Sequence, residues 1–163
     1  MSAKRRELFK SVRIKYDFPN SEILPVSRYA QGKGLPTEQE VLKGMLWGIF
    51  ARYIRLRDRG ECISCGNYRK YEDLQAGHYV AAGGSSNDLI FDEKNVNGEC
   101  GQCNGFSADH LIPMRQNLIR KYGEEAVLDL ERRRKFIGKH WEYTDFVEKI
   151  RYYIGKVAEL KRK

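Results

Sequence analysis

The chain has 163 residues, 41% of them apolar and 32% charged, a balance that excludes a disordered polypeptide and suits one globular domain. No run approaches the roughly 18 uninterrupted apolar residues of a transmembrane helix, so no membrane partner is expected. The net charge of +8 is uneven: residues 1–15 carry +5, residues 131–163 carry +6, and residues 16–130 carry −3. Two basic flanks around an acidic middle suit a polyanion gripped at its edges, although the same charges could simply solvate terminal helices.

Residues 1–36 read as a basic N-terminal arm with no firm secondary structure, punctuated by Pro19, Asn20, Gly32, Gly34 and Pro36. The opening Met1-Ser2-Ala3-Lys4-Arg5-Arg6 has no apolar segment behind it and does not read as a secretory signal, so a cytoplasmic location is expected. Thr37 and Glu40 then form a capping-box pattern. Leu42, Leu46, Ile49, Phe50, Tyr53 and Ile54 follow helical spacing up to Gly60, which predicts a helix over 38–58 within a segment 37–60. That helix either packs on the core or mediates dimerisation.

Residues 61–123 form the central segment. It is rich in turn formers and poor in helical periodicity at first. Leu74 to Val80 reads as a strand, and Leu89 to Phe91 as the second strand of a hairpin. Leu111, Met114, Leu118, Ile119 and Tyr122 share a helical face ended by Gly123, with Pro113 placed in the first turn. The last segment, 124–163, is basic and helical. It holds a short helix over 124–136 and a longer one capped by Thr144, with Val147, Ile150, Ile154, Val157 and Leu160 on its face.

The chemistry-bearing pattern lies in the central segment. Cys62 and Cys65 form one Cys-x-x-Cys pair, and Cys100 and Cys103 form another, with 34 residues between the pairs. In a reducing compartment, two such turns point to a tetrahedral four-thiolate site for structural Zn²⁺ and not to disulfides. The enclosed loop is long for a plain zinc ribbon. It contains Ala76-Gly77-His78-Tyr79 and then Asn95, and Asn104 directly follows the last cysteine.

The order Cys-x-x-Cys, His, Asn, Cys-x-x-Cys-Asn resembles the HNH branch of the ββα-metal endonucleases, and within it the phage endonuclease VII junction-resolving enzymes. A wider resemblance, carried by "YIRLRDRGECISCG", "AGHY", "FDEKN", "CGQCN", "NLIRKYGEEAV" and "HWEYTDFVEKIRYYIGKVAEL", is to the lambdoid-phage NinG (Rap) recombination proteins. It runs from about Phe50 to the C-terminus and leaves out residues 1–36. It implies an α+β fold, a ββα-metal (HNH) finger with a four-cysteine zinc site flanked by α-helices. It also implies a metal-dependent endonuclease acting on branched recombination intermediates such as Holliday junctions or D-loops, in the host cytoplasm for a phage-encoded chain.

The same resemblance assigns roles. His78 would be the general base, since an imidazole with a pKa of about 6.5 suits proton abstraction at neutral pH. Asn95 would hold the loop and orient His78. Asn104 would ligate a catalytic Mg²⁺ or Mn²⁺ through its carbonyl oxygen. Many HNH sites carry an Asp metal ligand directly before the base His, and here that residue is Gly77. Asp92, Glu93, Asp109 and Asp73 are the candidates to replace it. Asp92 is favoured, because it precedes Asn95 in the same loop. Asp109 or His110, along the finger helix from Asn104, comes second.

Lys4, Arg5, Arg6, Arg132, Arg133, Arg134 and Lys135 are the expected phosphate contacts, which would position branched or junction DNA without reading its sequence. Symmetric cutting of two strands makes a homodimer the geometric expectation, with Tyr152 and Tyr153 on a candidate dimer face. The rival readings are an HNH nickase on ordinary duplex, a zinc-stapled DNA-binding protein without catalysis, and an RNA-directed nuclease.

Overall fold

The structure is a computed structural model that describes residues 3–19, 34–81, 87–106, 109–134 and 140–162. Six α-helices and one two-stranded antiparallel sheet make an α+β protein among these residues. The chain divides into two compact units, Met1–Tyr53 with Trp141–Lys163, and Ile54–His140. Of the four segments drawn from the sequence, 37–60 and 124–163 each fall partly in both units.

The first unit holds α1 (Ala3–Lys15), most of α2 (Glu38–Arg57) and α6 (Tyr143–Lys161). The expected arm over 1–36 therefore carries a helix. The capping box at α2 forms: the Thr37 N–H donates to the Glu40 carboxylate at 2.7 Å, and the Glu40 N–H donates to Thr37 Oγ1 at 3.2 Å. Val41, Leu42, Met45, Leu46, Ile49 and Phe50 are all buried, so this face of α2 belongs to the core. On α6, Tyr153 packs against Phe50 and Tyr53, with ring centroids 4.9 and 5.3 Å away. Tyr153 is thus a core residue, while Tyr152 is exposed.

The cap of α6 differs from expectation. Glu142, not Thr144, is the N-cap, and it exchanges hydrogen bonds with Asp145 in a capping box. The sequence supplies the reason. Three residues beyond Glu142 stands a carboxylate that reaches back to the cap N–H, whereas three beyond Thr144 stands Val147, which has no acceptor.

The second unit is built around β1 (Leu74–His78) and β2 (Val96–Cys100), paired antiparallel from Leu74↔Cys100 to His78↔Val96. Helix α3 (Gly101–Phe106) follows β2 without a break, and α4 (Leu111–Tyr122) and α5 (Glu124–Arg133) complete the unit. The expected second strand at Leu89–Phe91 is instead part of a 3₁₀ turn over Asn87–Phe91. Short apolar runs do not reveal their own geometry. Here Leu89 packs with Val80 and Leu130 as a core plug. The Asp92 carboxylate then accepts the N–H groups of Lys94 and Asn95 and turns the chain into β2.

Met114 and Leu118 on α4 bury against Val127 on α5. Gly123 joins the two helices at φ 87°, a left-handed conformation that glycine adopts without penalty, and its N–H donates to the Ile119 carbonyl. Among the described residues, no helix is long and apolar enough to cross a membrane.

Candidate metal centre and adjoining groove

The first cysteine pair sits on a tight knuckle. The Gly66 N–H donates to the Cys62 carbonyl at 2.8 Å, the Cys62 N–H to the Asn67 carbonyl at 3.0 Å, and Gly66 takes φ 72°. The Ile63 N–H donates to the Gly98 carbonyl, which pins this knuckle to β2. The second pair spans the junction of β2 and α3. Folding brings all four sulfurs within 4.8 Å of one another, and none is in a disulfide. Tetrahedral zinc with bonds of about 2.3 Å sets its thiolates a little under 4 Å apart. The four cysteines are thus positioned to hold a metal ion, consistent with structural zinc.

His78 ends β1 and is half-buried. Its Nε2 lies 3.1 Å from the Ile90 carbonyl, which can only accept, so Nε2 carries the proton and the lone pair is on Nδ1. Burial pushes the imidazole below its ordinary value, and the Ile90 carbonyl opposes this more weakly. Asn95 is fully buried and acts as a clamp on the turn after His78. Its Oδ1 accepts the Val80 N–H at 2.7 Å, and its Nδ2 donates to the carbonyls of Val80 and Leu89 at 2.9 and 3.0 Å.

Asn104 rides on α3. Its Nδ2 donates to Gln75 Oε1 at 2.6 Å, which turns Oδ1 toward Gly77. A Cβ added at Gly77 would lie 3.0 Å from Asn104 Oδ1 and 1.9 Å from Glu99 Oε2. The space before His78 is therefore filled by a carboxylate from the paired strand. Glu99 is fully buried; its Oε1 accepts from Ser64 Oγ at 2.5 Å and pairs with His110 Nδ1 at 2.9 Å. Its Oε2 has no hydrogen-bond partner among the described residues.

His78 and His110 line one cavity of about 840 Å³, together with Tyr79, Arg115, Glu131 and Arg134. His110 lies at the start of α4, not along α3 as the sequence reading placed it.

The family profile described as Bacteriophage Lambda NinG protein matches residues 38–163. The chain belongs to the NinG family. Protein ninG of Escherichia phage 933W is 40% identical over 80 residues, which are 48% of this chain and 39% of that protein. Protein ninG of Escherichia phage lambda is 39% identical over 80 residues, covering 48% and 38%. The same protein of Salmonella phage P22 gives 39% identity over 80 residues, with the same coverage. The aligned stretch spans less than half the length of these relatives. No solved structure matches.

Within this NinG-family chain, the remaining expected site residues fall elsewhere. Asp92 is engaged with Arg133 at 2.7 Å and with the turn that starts β2. Asp73 and Asp109 are exposed. Half-buried Glu93 offers its backbone carbonyl to Arg57. None of these is the carboxylate against Gly77. Glu99 is, and it is not among the candidates drawn from the sequence.

Among the expected phosphate contacts, Arg133 is bound to Asp88, Asp92 and Asp129, so it serves the fold. Arg132 is two-thirds exposed and only 3.9 Å from Asp129. Arg134 borders the His78 cavity. Lys4, Arg5 and Arg6 lie on α1, where Arg5 donates to the Gly34 carbonyl. Lys135 lies outside the described residues.

Proposed function

We propose that this chain is a metal-dependent, structure-specific DNA endonuclease of the HNH type, acting on branched recombination intermediates such as Holliday junctions or D-loops. The observation that carries the reading is the pairing of two features around Gly77. His78, with its lone pair on Nδ1, ends β1, and Asn104 on α3 aims its carbonyl oxygen at the residue beside it. NinG-family membership and the order of the cysteine, His and Asn residues support it.

The bound divalent cation, Mg²⁺ or Mn²⁺, would neutralise charge on the scissile phosphate and the leaving oxygen. The chain's own residues do the remainder. His78 Nδ1 takes the proton from the attacking water, while the Ile90 carbonyl fixes the tautomer. Asn95 locks the turn that follows His78, so the imidazole keeps its direction. Asn104 would hold the cation through Oδ1. The four cysteines would hold structural zinc in a closed shell that fixes β2 and α3. Arg132 and Arg134, with Lys4 to Arg6, contact phosphates, and a two-fold dimer supplies the second cut.

The test is cleavage of a labelled four-way junction beside its linear duplex arms, with Mg²⁺, with Mn²⁺ and with EDTA. Paired, metal-dependent nicks confined to the junction are expected. Equal cutting of linear duplex would make the protein a general nickase. Tight junction binding without cutting under any metal would make it an architectural DNA-binding protein.

A further inference from the structure

We propose that Glu99 is a ligand of a hard-cation site, shared with Asn104, that takes Mg²⁺ or Mn²⁺ beside the four-cysteine centre and is chemically distinct from it. The role of that cation in cutting DNA rests on the nuclease reading; the site itself does not.

The argument begins with an imbalance. Glu99 is shut off from solvent, and its two oxygens are treated differently. Oε1 has two partners, Ser64 and His110. Oε2 has none among the described residues. A carboxylate oxygen out of water is costly unless it meets donors or a cation.

The direction of that oxygen is equally informative. The strand register pairs Gly77 with Asn97 and Gln75 with Glu99, so Glu99 is the diagonal neighbour of Gly77. Its Oε2 comes so close to the Gly77 backbone that a Cβ there would lie 1.9 Å away. Asn104 Oδ1 borders the same point, 3.0 Å from that Cβ position. The two oxygens are therefore within about 5 Å of each other, a gap that one cation with metal–oxygen bonds of about 2.1 Å can bridge after small side-chain shifts.

Each oxygen is aimed by a partner on the far side of its group. Gln75 takes the Asn104 amide, and Ser64 with His110 take the other Glu99 oxygen. Two oxygen ligands with the remaining positions left to water and phosphate is an arrangement that suits Mg²⁺ and Mn²⁺ and is poor for a thiophilic ion. Gly77 is the residue that makes it sterically feasible. The chain has exchanged a carboxylate immediately before His78 for one reached from the opposite strand.

The experiment uses the full zinc-loaded chain and Mn²⁺ alone as probe, with binding read by loss of the free-ion EPR signal and zinc measured in parallel. Wild type is expected to bind one Mn²⁺ without losing zinc. Glu99→Gln, which keeps shape and an acceptor for Ser64, is expected to weaken that binding at least about tenfold with zinc content and melting unchanged. Wild-type affinity in Glu99→Gln, or no Mn²⁺ binding by wild type, overturns the proposal. If Glu99→Gln does not hold zinc, Asn104→Asp carries the test: the added charge must tighten Mn²⁺ binding, and unchanged affinity refutes the site. Mn²⁺ bound through Glu99 by a protein that cuts no DNA would refute the nuclease reading and leave the site standing. Wild-type cleavage by Glu99→Gln would do the reverse.

Discussion

Gly77→Ala is the most informative single substitution, because its cost comes from one contact. Gly77 is not among the glycines with positive φ, so alanine meets no backbone penalty. Its methyl would instead lie 1.9 Å from Glu99 Oε2 and 2.8 Å from Glu99 Cδ. Glu99 cannot simply turn away, since Oε1 is held by Ser64 and His110 at 2.5 and 2.9 Å. Either the carboxylate withdraws and loses hydrogen bonds worth about 1.5–3 kcal/mol each, or β1 bends at an overpacking cost of about 1–3 kcal/mol. A net destabilisation of about 2–4 kcal/mol is expected.

Both tryptophans, Trp47 and Trp141, lie in the other unit, so urea unfolding should be followed by zinc release and far-UV circular dichroism instead of fluorescence. The decisive comparison is a double-mutant cycle with Glu99→Ala. Once the carboxylate is gone, the methyl has room, and the double variant should cost less than the two singles together by about 1–3 kcal/mol. Additivity within about 0.5 kcal/mol would refute the steric argument and, with it, the placement of Glu99 against β1.

Further outcomes follow from the same geometry. Burial lowers the His78 pKa and a base acts only when neutral, so single-turnover cleavage should persist as pH falls through 6.5 and fail below it; a midpoint at or above 6.5 contradicts this role. Asn95→Ala leaves the Val80 N–H and two carbonyls without their buried partner and should cost about 2–4 kcal/mol in chemical denaturation. Arg132→Ala should reduce the salt dependence of DNA binding by about one ion with the fold intact, whereas Arg133→Ala should cost about 1 kcal/mol of stability through its lost carboxylate partners. Cys62→Ser should release zinc, seen by metal analysis, and melt the unit that holds β1 and β2 well below wild type.

What could be read from the chain was whatever depends on local spacing. The two cysteine pairs, the Thr37–Glu40 cap, the helical faces of α2, α4 and α6, and the stop at Gly123 are all statements about neighbours a few residues apart. The expectation that Asn95 holds the loop came from the resemblance and not from local spacing. Three things were not legible. Leu89 to Phe91 looked like a strand because a short apolar run has no distinguishing period; the fold uses it as a plug and places the strand at Val96–Cys100. Helix α1 was hidden by its weakly amphipathic pattern of scattered charges, with Phe9 and Val12 as its buried residues. Glu99 was not among the candidates: Asp92 was favoured for preceding Asn95 in the same loop, and Asp109 or His110 for following Asn104 along the chain. Its relation to Gly77 exists only through the antiparallel register. The one signal available was the Gly77 departure itself, which announced a carboxylate missing from one strand without saying that the other strand supplies it.

The position of Ser64 gives the four-cysteine centre a meaning beyond stapling. Ser64 lies between Cys62 and Cys65, on the knuckle that the thiolates close, and its hydroxyl holds Glu99 Oε1. Cys100, the next residue after Glu99, is itself in the thiolate cluster. The four cysteines, once metal-bound, would thus fix the backbone on two sides of Glu99: the residue after it in the strand, and the turn that donates to it. A carboxylate held this way is pre-set, because the cost of ordering it is met by folding around zinc and not at the moment a second cation arrives. The arrangement also separates the two ions by chemistry. Four sulfurs leave no oxygen for a hard cation, and Glu99 with Asn104 offers no sulfur to zinc. The Ser64–Glu99 hydrogen bond makes the coupling directional. Losing zinc frees the knuckle and with it the aim of Glu99, whereas losing the hard cation leaves the four cysteines and their turns as they are.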